Sequence, residues 1–156
     1  MSLQNLLTKK LISCSPSSSI QMAAGLMEKE NVGAVVIVGE RDGGPVGIVT
    51  DRDIAIRCVA RGMDANQNVS EVMTTEVETV SDDEGIYDII HTMKRSEVRR
   101  VPVVDKAGKC IGLLSFGDVF ELLGRELSDL LPVTAPEKPK LVKQSVETRF
   151  KAEAHG

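Results

Sequence analysis

The sequence predicts a mixed α/β fold made of two copies of one β-α-β-β-α unit, related by a pseudo-two-fold axis. Residues Gly47–Ile54 and Gly112–Val119 share one pattern: glycine, two aliphatic residues, a hydroxyl residue, two variable positions, aspartate and an aliphatic residue. A shift of the chain by 66 residues superposes Ile20 on Ile86, and after the following turn the shift becomes 65 residues. Such a repeat predicts two similar units whose small mixed sheets and helices pack on a shared core.

The first half of each unit predicts a helix that follows a group of polar residues. Residues Ser15–Ser19 and Ser81–Glu84 are rich in side chains that accept hydrogen bonds from the N–H groups of a first helical turn. Apolar residues then recur with the spacing of one helix face. These residues are Ile20, Ala23, Ala24 and Met27 in the first unit, and Ile86, Ile89, Ile90 and Met93 in the second.

The second half of each unit predicts a strand, a turn, a second strand and a final helix. Aliphatic runs predict the strands, and Gly, Pro and Asp residues predict the turns between them. The segments are Ala34–Val38, Glu40–Pro45 and Val46–Val49 in the first unit, and Val101–Val104, Asp105–Gly108 and Ile111–Leu114 in the second. The hydroxyl residue and the aspartate of the repeated pattern therefore lie where a strand gives way to a helix.

The composition predicts an aliphatic core and argues against two classes of partner. Of the 156 residues 42% are hydrophobic, with no Trp and one Tyr, so no aromatic surface for stacking nucleic-acid bases is expected. The net charge of −4 also argues against nucleic acid. No apolar run approaches the length of a membrane span, and the N-terminus lacks the pattern of a signal peptide. We expect a cytoplasmic protein with no membrane partner.

The cysteines and histidines do not form a metal-binding pattern. Cys14, Cys58 and Cys110 are far apart, and neither His91 nor His155 lies at a zinc-ligand spacing from them. We therefore expect buried, reduced thiols and no metal site. The sequence also contains no Walker-type loop, nucleophile elbow or zinc-protease motif, so no catalytic residue and no enzymatic activity are predicted.

With these features, the paired units resemble a tandem pair of CBS domains, a family named after cystathionine β-synthase. Each unit ends in the family's pattern of glycine, two aliphatics, Ser or Thr, two variable positions and aspartate. Val98–Asp105 is similar to the family's central strand, and Val69–Thr74 is similar to its linker between repeats.

The resemblance divides the chain into a first repeat at 6–66, a second repeat at 67–124 that includes a linker at 67–75, and a C-terminal tail at 125–156. The tail begins with a proline-punctuated connector that interrupts any helix, and residues 141–154 then have helical spacing. Either a mobile charged tail or an arm that docks on a partner chain fits this pattern.

The resemblance implies a regulatory, ligand-binding module. Members of the family have two clefts between the repeats, and these commonly bind AMP, ADP, ATP or S-adenosylmethionine, although some members bind nothing known. No obligatory cofactor is implied. Such modules often form homodimers, and they usually regulate an effector protein, whose identity the sequence does not reveal.

The resemblance also assigns ligand contacts to the repeated motif. Asp53 and Asp118 match the carboxylate that binds ribose, which suits the chemistry because a carboxylate accepts hydrogen bonds from two neighbouring hydroxyls. Thr50 and Ser115 match the hydroxyl that contacts ribose or phosphate. Arg52 falls on the variable position beside the aspartate, from which a polar side chain reaches phosphates.

A basic pair makes the two predicted clefts unequal. Arg99 and Arg100 match positions that bind phosphate in some relatives, and a guanidinium suits phosphate oxygens. The equivalent residues of the first unit are Gly33 and Ala34. Neighbours on a strand point to opposite sides, so one arginine is expected to face away from any one cleft. Solvated charges, with Glu97 as a partner, are the alternative role.

The hydroxyl–aspartate pairs also match a structural motif, the helix capping box. In that motif the hydroxyl accepts a hydrogen bond from a backbone N–H three residues later, and the carboxylate there accepts one from the cap's own N–H. Because the motif is duplicated, ligand contact is the preferred interpretation, and the two roles are compatible. The leading hypothesis is a sensor of an adenosine-containing ligand, and the alternative is a ligand-free dimerisation scaffold.

Overall fold

The computed structural model of the chain describes residues 10–131. The chain divides into two compact units, Met1–Gly124 and Arg125–Gly156. The described parts of both repeats lie in the first of these units. The second unit is described up to residue 131. The predicted start of the first repeat at residue 6 and the predicted helical spacing at 141–154 lie outside the described residues.

The helices and strands follow the predicted order. The strands are β1 (Ser13–Cys14), β2 (Ala34–Val38), β3 (Pro45–Thr50), β4 (Val80–Ser81), β5 (Arg100–Val104) and β6 (Cys110–Ser115). The helices are α1 (Ile20–Glu30), α2 (Asp51–Asp53), α3 (Ile86–Arg95) and α4 (Phe116–Leu130). Among the described residues, no helix has both the length and the apolar character needed to cross a bilayer.

Each repeat contains a three-stranded mixed sheet. The sheets have the orders β1-β2-β3 and β4-β5-β6. In both, the central strand pairs in parallel with the first strand and antiparallel with the third. The antiparallel register shifts at the same point in each sheet, between Ile37 and Val38 in the first and between Val103 and Val104 in the second. The two repeats therefore share details of pairing as well as topology.

Unusual backbone conformations recur at equivalent positions of the two repeats. Asn31, after α1, has φ 51°, and Glu97, after α3, has φ 53°. The turns between the last two strands contain Gly43 at φ 68° and Gly108 at φ 79°. A left-handed conformation is uncommon for a residue such as glutamate, so its recurrence reflects the repeated geometry of the helix end. The predicted mixed α/β fold of two similar repeats is confirmed.

The buried side chains form two largely aliphatic clusters, one in each repeat. The first cluster contains Cys14, Ile20, Ala23, Met27, Val35, Ile37, Val49, Cys58, Val69 and Val72. The second contains Val80, Ile89, Met93, Val101, Val103, Leu114 and Val119. Two valines of the first cluster, Val69 and Val72, come from the segment that links the repeats. The linker is therefore part of the core of the first repeat.

The polar residues before the two helices do not play equivalent roles. Ser19 caps α1 as predicted, because its hydroxyl accepts a 3.0 Å hydrogen bond from the Met22 N–H. The corresponding prediction for Ser81–Glu84 is wrong. The N-cap of α3 is Gly85, which has no side chain with which to cap, and the Glu84 carboxylate accepts a hydrogen bond from the Ser81 N–H instead.

The helix predicted after β3 is irregular. Three α-helical residues, Asp51–Asp53, are followed by a π-helical segment at Ile54–Cys58 and a 3₁₀ turn at Val59–Arg61. The equivalent helix of the second repeat, α4, is a continuous α-helix of 15 residues.

The three cysteines are free and buried, as predicted. Burial raises the pKa of the Cys14 and Cys110 thiols, which favours their neutral form. Of the described side chains, no group of three or more His, Cys, Asp or Glu residues could hold a metal ion.

Candidate ligand-binding clefts

The repeated motif of the first repeat forms a complete capping box. The Thr50 N–H donates a 3.0 Å hydrogen bond to Asp53 Oδ2, and the Thr50 hydroxyl donates a 2.8 Å bond to the same oxygen. In return, the Asp53 N–H donates to Thr50 Oγ1 at 3.1 Å. The box therefore holds both side chains in one orientation at the start of α2.

The second repeat reproduces this box atom for atom. The Ser115 N–H donates to Asp118 Oδ2 at 2.8 Å, the Ser115 hydroxyl donates to the same oxygen, and the Asp118 N–H donates to Ser115 Oγ at 3.2 Å. The predicted structural role of the motif is thus observed in both repeats. In both, Oδ2 accepts the bonds of the box, and a carboxylate offers about four acceptor positions in total.

Each box lies at a cleft that is completed by the other repeat. The first, cleft 1, has a volume of about 190 Å³. It combines the box of the first repeat with the start of β5 and with the segment before β4. Its polar lining is formed by Thr50, Asp53, Thr74, Glu76, Glu78, Arg99 and Arg100.

The second cavity, cleft 2, also has a volume of about 190 Å³. It combines the box of the second repeat with the start of β2 and with the segment before β1. Its lining includes Lys10, Gly33, Ala34, Arg100, Ser115 and Asp118. The structure therefore brings Thr50 and Asp53 to one cleft, and Ser115 and Asp118 to the other.

The linker between the repeats forms one wall of cleft 1. Thr74 pairs with Ile48 of β3 through two backbone hydrogen bonds, of 3.0 and 2.8 Å. The approach is close at Gly47 of β3, because a Cβ atom there would lie 2.5 Å from Met73 Sδ and 3.2 Å from the Thr74 carbonyl oxygen and would displace the methionine side chain or the linker. The glycine that opens the motif thus makes room for the linker.

Arg57 joins the linker to the capping box. Its guanidinium donates hydrogen bonds to the Val72 carbonyl oxygen at 2.8 Å and to Thr74 Oγ1 at 3.2 Å. It also forms an ion pair of 3.3 Å with Asp53 Oδ1. The two oxygens of Asp53 therefore face different groups, Oδ2 the box and Oδ1 the arginine. Arg57 lies outside the repeated motif, and its linker partners are 15 and 17 residues away in the chain, so no local sequence signal marks it.

The predicted arginines are placed differently from one another. Arg99 lines cleft 1. Arg100 lines both clefts, and its Nη2 atom lies 3.4 Å from the point that a Cβ atom on Gly33 would occupy, so its charged end is beside the first repeat's strand. Arg52 is exposed on the first turn of α2 and lines neither cleft.

Three charged residues of the clefts were not identified from the sequence. They are Lys10 in cleft 2 and Glu76 and Glu78 in cleft 1. A shift of 66 residues superposes Lys10 on Glu76, so these two positions are equivalent in the two repeats although their charges are opposite. Both precede the first strand of a repeat, where the sequence alone shows no motif.

Comparison with known proteins gives the family. The model of the CBS domain matches residues 3–59 and 69–125. The chain belongs to the CBS domain family. Over 118 residues it is 37% identical to the CBS domain-containing protein YhcV of Bacillus subtilis, an alignment that covers 76% of this chain and 82% of that protein.

Solved structures of CBS domain pairs have the same fold. The CBS domain protein PAE2072 of Pyrobaculum aerophilum, solved in complex with AMP, matches with a TM-score of 0.70 at 26% identity, covering 80% of this chain and 99% of that one. The CBS domain pair of protein MJ0100, solved with 5′-methylthioadenosine and S-adenosyl-L-methionine, matches with a TM-score of 0.70 at 30% identity, covering 81% and 98%. The recognition of a tandem CBS pair from the sequence is confirmed.

Proposed function

We propose that this CBS pair is a regulatory module that binds an adenosine-containing ligand in the clefts between its repeats. The observation that carries the proposal is the duplicated hydroxyl–carboxylate box, held in the same geometry at both clefts. The complexes of PAE2072 with AMP and of the MJ0100 pair with 5′-methylthioadenosine and S-adenosyl-L-methionine support the ligand class.

The chemistry of the box suits a ribose. A carboxylate accepts hydrogen bonds from both neighbouring hydroxyls of the sugar, and charge-assisted bonds of this kind are stronger than neutral ones. The capping box orients Asp53 and Asp118 before a ligand arrives, so less conformational entropy is lost on binding. The apolar side chains in the same linings, such as Ile48 and Val98 of cleft 1, offer surface for the adenine base.

Regulation would follow from the position of the clefts between repeats. A ligand that contacts both repeats stabilises the arrangement in which those contacts form, and it shifts the population towards that arrangement. A separate effector protein would then bind the two arrangements with different affinities, which couples ligand and effector thermodynamically. The proposed role is therefore binding and signalling without catalysis. We also propose a cytoplasmic location, since the free, buried thiols of the chain are typical of reducing compartments.

We further propose that the module is a homodimer that uses the exposed apolar side of α4. The apolar residues of this helix recur at alternating steps of four and three residues, which is the spacing of a helix–helix seam. They are Phe116, Phe120, Leu123, Leu127 and Leu130, with exposed fractions between 40% and 68%. A second copy presents the same stripe, so the two stripes would cover each other. Light scattering should show a dimer, and a Phe120→Glu variant should be a monomer.

A thermal-shift panel tests the ligand proposal. AMP, ADP, ATP, NAD and S-adenosylmethionine would each be added to the full chain at millimolar concentration. A ligand at about 100 times its Kd adds about 2.7 kcal/mol of stability, which raises the Tm of a chain of this size by about 5–10 °C. If none of the five raises the Tm, the ligand proposal is wrong.

The capping boxes and the apolar stripe also favour a second candidate, a dimerisation scaffold with unoccupied clefts. The variants Asp53→Glu and Asp118→Glu distinguish the two functions. Glutamate is the usual acidic residue of a capping box, so the fold should keep nearly its normal Tm. The longer side chain misplaces the carboxylate against a ribose, so nucleotide binding should weaken. Unchanged binding in both variants would leave only the structural role.

A further inference from the structure

The pseudo-two-fold relation places opposite charges at equivalent positions of the two clefts. Shifting the chain by 66 residues superposes Lys10, in cleft 2, on Glu76, in cleft 1. The same shift superposes Ile12 of cleft 2 on Glu78 of cleft 1. The segment that precedes the first strand of each repeat therefore contributes one positive charge to cleft 2 and two negative charges to cleft 1.

The orientation of Arg100 increases this difference. Arg100 lines both clefts, but its guanidinium lies beside Gly33, a residue of the lining of cleft 2. Gly33 and Ala34, which are equivalent to Arg99 and Arg100 of the second repeat, have no large side chains and leave room for the guanidinium in cleft 2. Asp51 Oδ2 lies 3.3 Å from the point that a Cβ atom on Gly33 would occupy, but Asp51 does not line cleft 2.

The charged residues that line the two clefts differ in number and in sign. Cleft 2 is lined by two basic residues, Lys10 and Arg100, and by one acidic residue, Asp118. Cleft 1 is lined by Arg99, by Arg100, whose charged end lies towards Gly33, and by three acidic residues, Asp53, Glu76 and Glu78. Two of those carboxylates have cationic neighbours outside the lining, since Asp53 pairs with Arg57 and Glu78 lies 3.7 Å from Arg95. Glu76 forms no ion pair with any described residue.

We propose that cleft 2 binds the phosphorylated form of the adenosine ligand, and that cleft 1 binds an adenosine compound without phosphate. This inference rests on the proposed function and assigns a ligand class to each cleft. A guanidinium and an ammonium group at cleft 2 supply the charge-assisted hydrogen bonds that phosphate oxygens accept. In cleft 1 the same phosphate would approach Glu76 and Glu78, and like charges at short range repel. A neutral or cationic group on the ribose 5′ carbon meets no such repulsion.

Isothermal titration calorimetry of the full chain tests the assignment with two probes. AMP carries a phosphate on the ribose, and 5′-methylthioadenosine carries a neutral thioether at the same carbon. AMP should bind with a stoichiometry of one per chain. With AMP saturating, 5′-methylthioadenosine should still bind at one further site. The variant Asp118→Asn should weaken AMP, whereas Asp53→Asn should weaken 5′-methylthioadenosine.

Charge reversal at the equivalent positions gives a sharper test. Lys10→Glu should lower the affinity for AMP about tenfold or more, the value of one lost charged hydrogen bond. Glu76→Lys should raise the AMP stoichiometry from one to two, because it gives cleft 1 the cation of cleft 2. Both positions are exposed, so the Tm should change little. The control is Lys106→Glu, in the exposed turn after β5, which should leave both titrations unchanged.

The outcomes separate this inference from the proposed function. Two equal AMP sites in the unaltered chain, or an AMP affinity that depends on Asp53 and not on Asp118, would overturn the assignment while the ligand class stands. An unchanged stoichiometry in Glu76→Lys together with an unchanged affinity in Lys10→Glu would also overturn it. If neither AMP nor 5′-methylthioadenosine binds while another ligand of the thermal-shift panel does, the assignment is overturned. If no ligand of either experiment binds, the proposed function itself fails.

Discussion

The helices that follow the two capping boxes begin alike and then differ. Both start with the same set of backbone and side-chain hydrogen bonds, around Thr50 in one repeat and Ser115 in the other. In the first repeat the α-helix ends after Asp53 and continues as a π-helical segment. In the second repeat it continues as a regular helix to Leu130. A capping box therefore determines where a helix begins and leaves its further course to other contacts.

The irregular segment of the first repeat contacts the linker. The π-helical segment contains Arg57, whose guanidinium reaches Val72 and Thr74 of the linker. The equivalent residue of the second repeat, at an offset of 65, is Leu122, which has no group for such bonds. The first repeat thus uses its helix to hold the linker, and the second presents an exposed apolar stripe. After a shared start, the two helices therefore differ in their geometry and in the groups that they contact.

The largest expected effect concerns the cores of the two repeats. Ile89 of α3 and Ala23 of α1 are equivalent at the repeat offset, and both are 0% exposed. Truncation by Ile89→Ala leaves a cavity in the second cluster, which has no linker residues to fill it. We expect a loss of about 2–5 kcal/mol in the free energy of unfolding. Urea denaturation measures this loss.

The reverse change, Ala23→Ile, provides the comparison for that variant. The first core already contains Val69 and Val72 of the linker, so the larger side chain should overpack it and cost about 1–3 kcal/mol. A gain in stability from Ala23→Ile would show that the first core has unused space.

The next effect concerns the contact between β3 and the linker. In Gly47→Ala, the new methyl group would lie 2.5 Å from Met73 Sδ and 3.2 Å from the Thr74 carbonyl oxygen. The methionine or the linker backbone must move, and we expect a cost of about 1–3 kcal/mol. The matched control is Gly25→Ala in α1, where a Cβ atom has no neighbour within 4 Å. Urea denaturation should show that variant to be more stable by up to about 1 kcal/mol.

A smaller effect tests the difference between the two helices directly. Arg57→Leu places the residue type of the second repeat in the first. It removes the hydrogen bonds to Val72 and Thr74, and we expect a loss of about 1–2 kcal/mol in chemical denaturation. The exposed neighbour Arg52 is the control, and Arg52→Leu should change stability by less than about 0.5 kcal/mol. Equal effects of the two variants would mean that the linker contacts contribute nothing.

The smallest effect is a dependence of stability on alkaline pH. Burial raises the pKa of Cys14 in the first repeat and of Cys110 in the second. A raised thiol pKa contributes to the free energy of unfolding. This contribution is complete below the thiol pKa in the unfolded chain, about 8.5, and it is lost as the pH rises through the thiol pKa in the folded chain. The free energy of unfolding should therefore decrease above about pH 8.5. The double variant Cys14→Ala, Cys110→Ala should show a weaker decrease, and an identical slope would contradict the assignment to these thiols.

Much of the fold follows from the sequence because its signals are local. The spacing of apolar residues, the turn residues and the repeated motif predicted the first helix, the last two strands and the final helix of each β-α-β-β-α unit. Two local predictions went wrong where a neighbour decided the outcome. Ser81–Glu84 formed its own hydrogen bonds and left Gly85 as the cap of α3. The helix after β3 became irregular in the segment that contacts the linker.

The sequence by itself determined the repeat, the family and the position of the hydroxyl–carboxylate boxes, since these depend on residue order and spacing. The tertiary structure alone decided which charges face which cleft. Lys10 and Asp118 line one cleft, and Glu76 and Asp53 line the other, although in each pair the two residues are separated in the chain. The physical reason is that each cleft forms only when one repeat packs against the other. The direction of a side chain such as Arg100 then depends on the space left by residues of the other repeat.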